Sequence, residues 1–274
     1  CALPISLVLA NPKGGVGKTT TAIHLAHGIA LSGSRVALLD LDPQGNATVA
    51  VQGMTGGHGE EGALEFLAPV TENLWLLPSP GATAMVEPDA TVDVDGPGAL
   101  VDELSGHVDW VVIDCPPRLD AWGWAGLQLA DEVLVPVQAE FIAIHGLSQM
   151  LSTMELASNR FPGKARLRGI VPTMVDAKEP VTLEVVEDLR RNLGGLILNS
   201  LVLRDANLVE AASHGKTAFS HCPWARGALC HGELVLEILD SCSSTRQRPR
   251  LLSIWWPPDY SLGACPGQGR PGRR

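Results

Sequence analysis

The chain reads as an α/β protein, a doubly wound, mostly parallel sheet with helices on both faces. Three observations predict this. Short apolar runs recur along the chain and are apolar throughout rather than at every second residue, the pattern of strands covered on both sides. Helix-length segments separate these runs, so strand and helix alternate. A glycine-rich turn, Gly14–Gly17, joins the first apolar run to the first helical segment.

Taken in order, Ile5–Ala10 is a buried strand and Lys18–Leu31 a helix. Arg35–Asp40 is a second strand, closed by the turn-rich Asp42-Pro43-Gln44-Gly45-Asn46. Asn73–Leu77 is a weaker strand, and Ser79–Gly98, rich in Gly, Pro, Ala and Asp, is a loop. Asp109–Asp114 is a strong strand that stops at Pro116-Pro117, and Glu132–Gln138 is another. A helix follows from about Ile142 to Asn159. Arg168–Thr173 and Leu196–Ser200 are further strands, separated by the amphipathic Val181–Leu193, and a last helix runs from about Trp224 to Leu239. Residues 1–240 therefore form one domain, within the size that a single core serves. From Ser241 the chain mixes Ser, Arg, Pro and Gly with Trp255-Trp256 and keeps neither period. This tail is expected to be disordered or an out-of-frame translation, and residues 1–6, which lack an initiating Met, to be a non-native start.

Composition narrows the function classes. No apolar run approaches the roughly 18–20 residues that span a bilayer, and the first residues lack the basic start and cleavage site of a secretory signal. A cytoplasmic location is expected. Six cysteines are present without a Cys-x-x-Cys pair, which argues against zinc and iron–sulfur clusters and for reduced, structural thiols. The net charge of −10 conceals an asymmetry: residues 1–240 carry 14 basic and 29 acidic residues, a net of −15, while the tail holds six arginines and one acid. Such a body repels nucleic acid, so any contact with it must come from a local basic patch.

Gly14-Gly15-Val16-Gly17-Lys18-Thr19-Thr20, between a buried strand and a helix, carries the most chemistry. Phosphate oxygens need several donors converging in a small volume. Backbone amides of Gly14, Gly15, Val16 and Gly17 supply them, because glycine allows close approach and positive φ. The helix starting at Lys18 adds its unpaired N–H groups and its dipole. The Lys18 ammonium reaches β- and γ-phosphates, and the Thr19 hydroxyl suits Mg²⁺. The competing reading is a glycine turn beside a chance lysine; the strand before it and the helix after it argue otherwise. The rest of such a site belongs at the C-terminal ends of neighbouring strands. Asp114 ends one of them, and Asp40 and Asp42 close another, two residues apart and on one side.

These motifs resemble the ParA/Soj/MinD family of deviant Walker A ATPases, a P-loop NTPase group. Lys13-Gly-Gly-Val-Gly-Lys18-Thr-Thr is similar to the family's loop with its second, early lysine. Leu39-Asp-Leu-Asp-Pro-Gln-Gly-Asn46 is similar to its second acidic motif, and Val111-Val-Ile-Asp-Cys-Pro-Pro117 to its Walker B. Val135–Glu140, Gly146–Gln149 and Glu210–Lys216 match later segments, so the likeness covers roughly residues 5–240 and fits the ParA/Soj partitioning branch best. The resemblance implies ATP and Mg²⁺ as cofactors and assigns roles. Lys13 would reach the phosphates of the partner across a nucleotide-sandwich homodimer. Thr20 would touch the α-phosphate and Asp42 would orient the attacking water. Asp40 would support the metal shell, and Asp114 would hold Mg²⁺ through water. It further implies slow ATP hydrolysis stimulated by a ParB-type protein, nonspecific DNA binding by the ATP-bound dimer, and a nucleoid-associated location in chromosome or plasmid partitioning.

Departures from the pattern are local. Pro12 replaces a polar residue before the early lysine, leaving the donors from Gly14 onward intact. Arg118 and Gly123-Trp124-Ala125 replace the small residue, Thr and Asn of the family's switch region, where hydrolysis couples to conformation. Arg204 matches the first of two basic DNA contacts, but Asn207 stands at the second; Lys164, Arg166, Arg168, Arg190 and Arg191 are other candidates for phosphate contacts. Alternatives are a non-hydrolysing ATP-binding module and a MinD-like membrane-positioning ATPase, the latter disfavoured because Pro249, Pro257 and Pro258 interrupt the tail's basic, apolar stretch. A nitrogenase-reductase-like reading needs a second cluster cysteine besides Cys115, and none is evident.

Overall fold

In a computed structural model, residues 3–56, 67–79, 101–118, 120–140 and 143–240 are described, residues 143–146 by backbone alone. The expected loop Ser79–Gly98 beyond its first residue, and the whole of the tail, lie outside them. The strands are β1 (Ile5–Leu9), β2 (Val36–Asp40), β3 (Ala68–Thr71), β4 (Leu74–Leu77), β5 (Trp110–Asp114), β6 (Glu132–Gln138) and β7 (Arg166–Thr173). The helices are α1 (Lys18–Leu31), α2 (Asn46–Val51), α3 (Ala121–Leu129), α4 (Ala143–Arg160), α5 (Pro180–Leu193), α6 (Ala206–Ser213), α7 (Ala218–His221) and α8 (Arg226–Asp240).

One seven-stranded sheet runs in the order β3-β4-β2-β5-β1-β6-β7. Every pairing is parallel except the edge hairpin β3–β4. The doubly wound fold predicted from the alternation is therefore present. Successive strand residues point to opposite faces. Leu7, Leu9, Leu38, Val112 and Leu134 pack with α1, α2 and α8, whereas Val8, Leu39, Val111, Val133 and Ile170 pack beneath α3, α4 and α5. Covering both faces is what makes each central strand apolar at every position.

The strand expected at Leu196–Ser200 does not form. A short 3₁₀ turn at Gly194–Leu196 leads into a segment that meets β7 at the isolated Ile170–Ile197 bridge and through the Leu198 amide on the Ile170 carbonyl. The Asn199 and Ser200 amides turn instead to the Glu237 carboxylate on α8. Side-chain acceptors from the neighbouring helix have taken the donors that a ladder would use. Conversely, β3, α2, α3, α6 and α7 form where no regular element was expected. Cys222 is disulfide-bonded, against the expectation of reduced thiols throughout, while Cys115 and Cys230 are free.

The topology creates a crevice. From β1 the chain passes through α1 across β5 to β2; from β5 it passes through α3 across β1 to β6, on the opposite face of the sheet. Ligands of open α/β sheets bind outside the carboxyl ends of the strands at such a point. Leu9 is in register with Asp114, and Asp114 with Asp40, so the phosphate loop and both acidic motifs end on one edge.

Candidate functional site

The loop between β1 and α1 is held from beneath. Asn11 donates from Nδ2 to the Pro136 carbonyl at 2.7 Å and accepts the Lys13 amide on Oδ1 at 2.9 Å. The Thr173 hydroxyl, at the end of β7, donates to the Val16 carbonyl at 2.8 Å. Val16 is buried, so its side chain anchors the loop to the core. Gly15 and Gly17 take φ of 74° and 87°, values that strain any residue with a Cβ. Gly17 then caps α1 without a side chain, leaving the first-turn N–H groups facing outward.

A cleft of about 590 Å³ opens over this loop, lined by Gly14, Gly15, Gly17, Lys18, Thr19 and Thr20, with Asp42 on the opposite wall. Lys18 is 7% exposed and donates from Nζ to the Lys13 carbonyl at 3.1 Å. Burial lowers its pKa, opposed by the negative charges of Asp114 and Asp42. The cleft lining also includes apolar Val49, Ala50, Met174, Leu208 and Ala212, suited to a flat ring system.

Behind the cleft stand two fully buried carboxylates. Among the described residues, neither oxygen of Asp114 has a hydrogen-bond partner. Burial pushes its pKa up to about 8; the neighbouring Asp40 and Asp42 reinforce the rise, and the nearby Thr19 hydroxyl and Lys18 oppose it. An orphaned buried carboxylate is costly, and a hard cation with its water shell is what an oxygen-only pair such as Thr19 and Asp114 accommodates. The residues fit a divalent ion. Asp40 differs: burial raises its pKa, but hydrogen bonds from Thr48 and the Asp42 amide oppose the rise.

Lys13 lies apart from the cleft. Its side chain is 41% exposed and its Nζ sits 3.1 Å from Oε2 of Glu140, itself 50% exposed, at the end of β6. The two lysines of the loop thus point to different places. Sequence reasoning placed Lys18, Thr19, Thr20, Asp42 and the glycines together, and the structure does the same. It did not find Asn11, Thr48, Ser79, Glu140 or Thr173, whose only sequence signal was a polar residue at a strand end or turn.

The departures have local explanations. Asp120 caps α3, its carboxylate accepting the Trp122 and Gly123 amides, and Trp124 packs edge-on against Phe161 with the Arg160 guanidinium over its ring. The altered switch segment is therefore a capped helix seated on α4, with Arg118 exposed before it. Of the basic candidates, Arg168 is largely buried on Glu132, Lys164 pairs with Asp131, Arg166 with Glu132 and Arg191 with Asp188, while Arg190 bonds the Asn199 carbonyl. Arg204 is exposed, and Asn207 helps Asp205 to cap α6.

The AAA domain family matches residues 5–167. The chain is 38% identical over 246 residues to the chromosome-partitioning ATPase Soj of Thermus thermophilus, covering 85% of this chain and 94% of that protein. It is 33% identical to the sporulation initiation inhibitor protein Soj of Bacillus subtilis, covering 85% and 97%. Among solved structures, cobyrinic acid a,c-diamide synthase from Mycobacterium smegmatis, with bound ATP analog and magnesium, superposes with a TM-score of 0.68 at 27% identity, over 90% of this chain and 98% of that one. With these identities over most of both chains and the AAA domain match over more than half of this one, the chain belongs to the ParA/Soj family of deviant Walker A ATPases.

Proposed function

We propose that this chain is an ATP-dependent dimerisation switch with slow ATP hydrolysis, acting in chromosome or plasmid partitioning through nonspecific DNA. The observation that carries the reading is the divergence of the two lysines. Lys18 is committed to its own cleft, whereas Lys13 leaves that cleft for an exposed partner, within reach of a second copy docked over the loop. Gly14, Gly15, Val16 and Gly17 cradle the phosphates of ATP, Thr20 contacts the α-phosphate, and Lys18 neutralises β- and γ-oxygens. Thr19 and Asp114 hold Mg²⁺, with the charge of Asp40 behind them, and the bound ion offsets negative charge on the phosphates. Asp42 orients water for attack, and Lys13 of the second copy stabilises charge on the transferred group. The relatives' partitioning names support the role; the nucleoid, a ParB-type stimulating protein and DNA contacts around Arg204 follow from it. No helix among the described residues is long and apolar enough to cross a membrane, and no membrane partner is proposed.

The deciding experiment measures phosphate release with and without duplex DNA, together with a sizing run in ATP and in ADP. ATP should double the apparent mass and give salt-sensitive retention on nonspecific duplex. Equal DNA retention with and without ATP refutes the switch. A dimer that forms in ATP without releasing phosphate leaves the non-hydrolysing alternative.

A further inference from the structure

Asp42 does not stand alone on its wall of the cleft. Its amide donates to Oδ1 of Asp40 at 3.2 Å, and its carbonyl accepts the Ser79 hydroxyl at 2.6 Å. The Ser79 amide donates to Oγ1 of Thr48 at 3.0 Å. Oγ1 of Thr48 in turn donates to Oδ2 of Asp40 at 2.7 Å, and the Thr48 amide reaches the same oxygen at 2.8 Å. Asp42, Ser79, Thr48 and Asp40 therefore form a closed ring, joining the end of β2, the first turn of α2 and the segment two residues past β4. Ser79 and Asp40 are fully buried and Asp42 nearly so.

A ring has a property that a chain of bonds lacks: each member is fixed from two sides, so the backbone at Asp42 cannot rotate without breaking a buried hydrogen bond. The carboxylate of Asp42 is free of the ring. Among the described residues its Oδ1 accepts the Gln44 amide at 3.0 Å, within its own turn. The backbone is held and the side chain is presented. We infer that Ser79 and Thr48 are positioning residues for hydrolysis, setting the aim of the Asp42 carboxylate toward the attacking water. This rests on the reading of Asp42 given above. It also gives Asp40 a mechanical task, since both its oxygens are engaged within the ring. A misplacement of under an ångström at an orienting group lowers rate without lowering ground-state affinity, so the ring should act on turnover alone.

The test compares wild type, Ser79→Ala, Ser79→Thr, Thr48→Val and Thr48→Ser for ATP affinity, single-turnover phosphate release and thermal midpoint. Ser79→Ala removes one of the ring's hydrogen bonds and should slow phosphate release by about 10-fold, and Thr48→Val removes two and should slow it by at least about as much, with ATP affinity within about 2-fold of wild type in both. Ser79→Thr and Thr48→Ser, which keep the hydroxyl, should recover most of the rate. In an Asp42→Ala background neither truncation should slow release further, because the aim of an absent carboxylate no longer matters. Asp42→Ala hydrolysing at the wild-type rate overturns both this inference and the role of Asp42. A slow Asp42→Ala beside a Ser79→Ala of wild-type rate overturns the ring alone. So does a Ser79→Ala effect that persists in the Asp42→Ala background or appears equally in ATP affinity. Should Ser79→Ala fold poorly, Thr48→Val breaks the same ring from its other side and decides in the same way.

Discussion

Lys18 and Lys13 lie five residues apart in one loop and in opposite surroundings. Lys18 is itself buried and held: its ammonium bonds a backbone carbonyl, Asp114 lies behind it, and α1 continues into a core that holds three histidines. Lys13 itself is exposed, and its ammonium pairs with Glu140, also exposed. An exposed ion pair is worth about 0–1 kcal/mol, whereas disturbing a buried charge or hydrogen bond costs several times that. The inner region therefore keeps one arrangement and the rim can exchange partners cheaply. That division suits a site which must hold a nucleotide firmly and a second copy conditionally.

The largest effect should come from the inner lysine. Lys18→Ala removes a buried positive charge aimed at phosphate, so Mg-ATP binding followed by calorimetry should weaken about 100-fold or more. Its thermal midpoint without nucleotide should change little, since relief of the ammonium's desolvation offsets loss of its hydrogen bond to the Lys13 carbonyl and of its attraction to Asp114 and Asp42. Lys13→Ala should do the reverse of a binding mutant. Nucleotide affinity of the monomer should stay within about 3-fold, as rim contacts add little, while the ATP-dependent mass increase on sizing is lost. If Lys13→Ala weakened monomer binding as much as Lys18→Ala, the two regions would not be distinct.

The inner region also carries a pH signature. His24 and His27 of α1 and His231 of α8 are buried, with the His24 and His231 rings stacked 4.4 Å apart and Phe219 edge-on to His24 and His27. His24 Nδ1 meets the Thr20 carbonyl and its Nε2 accepts the Ala218 amide; His27 meets the Thr217 hydroxyl, and His231 the Gly227 carbonyl. Burial pushes His27 and His231 down to about 4, and burial with help from the neighbouring His231 holds His24 well below its ordinary value. A histidine depressed in the fold is protonated first in the unfolded chain. Its contribution is complete above about pH 7 and is lost as pH falls through 6.5 toward 4. At pH 5 each of His27 and His231 should cost about 2 kcal/mol. Thermal midpoints should drop between pH 7 and pH 5 by less than the histidines alone would give, because Asp114, raised to about 8, gains stability as pH falls through the same range, and His231→Leu should make the drop smaller. A His231→Leu midpoint that falls over this range as much as the wild-type midpoint does would mean the cluster is not held neutral.

What could be read from the sequence follows the same division by distance along the chain. β1, the loop and α1 were legible because Gly15, Gly17 and the apolar residues of Ile5–Leu9 act on their immediate neighbours. The acidic motifs were legible because each closes a strand. The ring was not, since Thr48 and Ser79 are 31 residues apart and Ser79 and Asp42 37 apart, and serine and threonine near turns are ordinarily local caps. The Thr173 bond to Val16 spans 157 residues and left no pattern at either end. α2 was hidden by its length of six residues and its glycine cap. Leu196–Ser200 misled because its apolar period suits a strand, and only the carboxylate of Glu237 shows why the ladder fails.

The smallest expected effect is at Glu140, and it is the sharpest test of the rim. Its Oε2 holds Lys13 at 3.1 Å, while Gln138 donates from Nε2 to Oε1. Glu140→Gln keeps the size and the neighbouring hydrogen bond but removes the charge. If Lys13 must leave Glu140 before it reaches the phosphates of a second copy, weakening that pair favours the dimer by no more than the pair is worth, about 0–1 kcal/mol, or up to about 5-fold in the ATP-dependent dimer constant. The gain should shrink as salt is raised, because both groups are solvent-exposed and screened. Monomer affinity for nucleotide should not move, since neither residue lines the cleft. Sedimentation at low and high salt reads both. A dimer weakened by Glu140→Gln would mean that Glu140 serves the assembled state, and the ion pair would then be part of the interface instead of a hold on the free lysine.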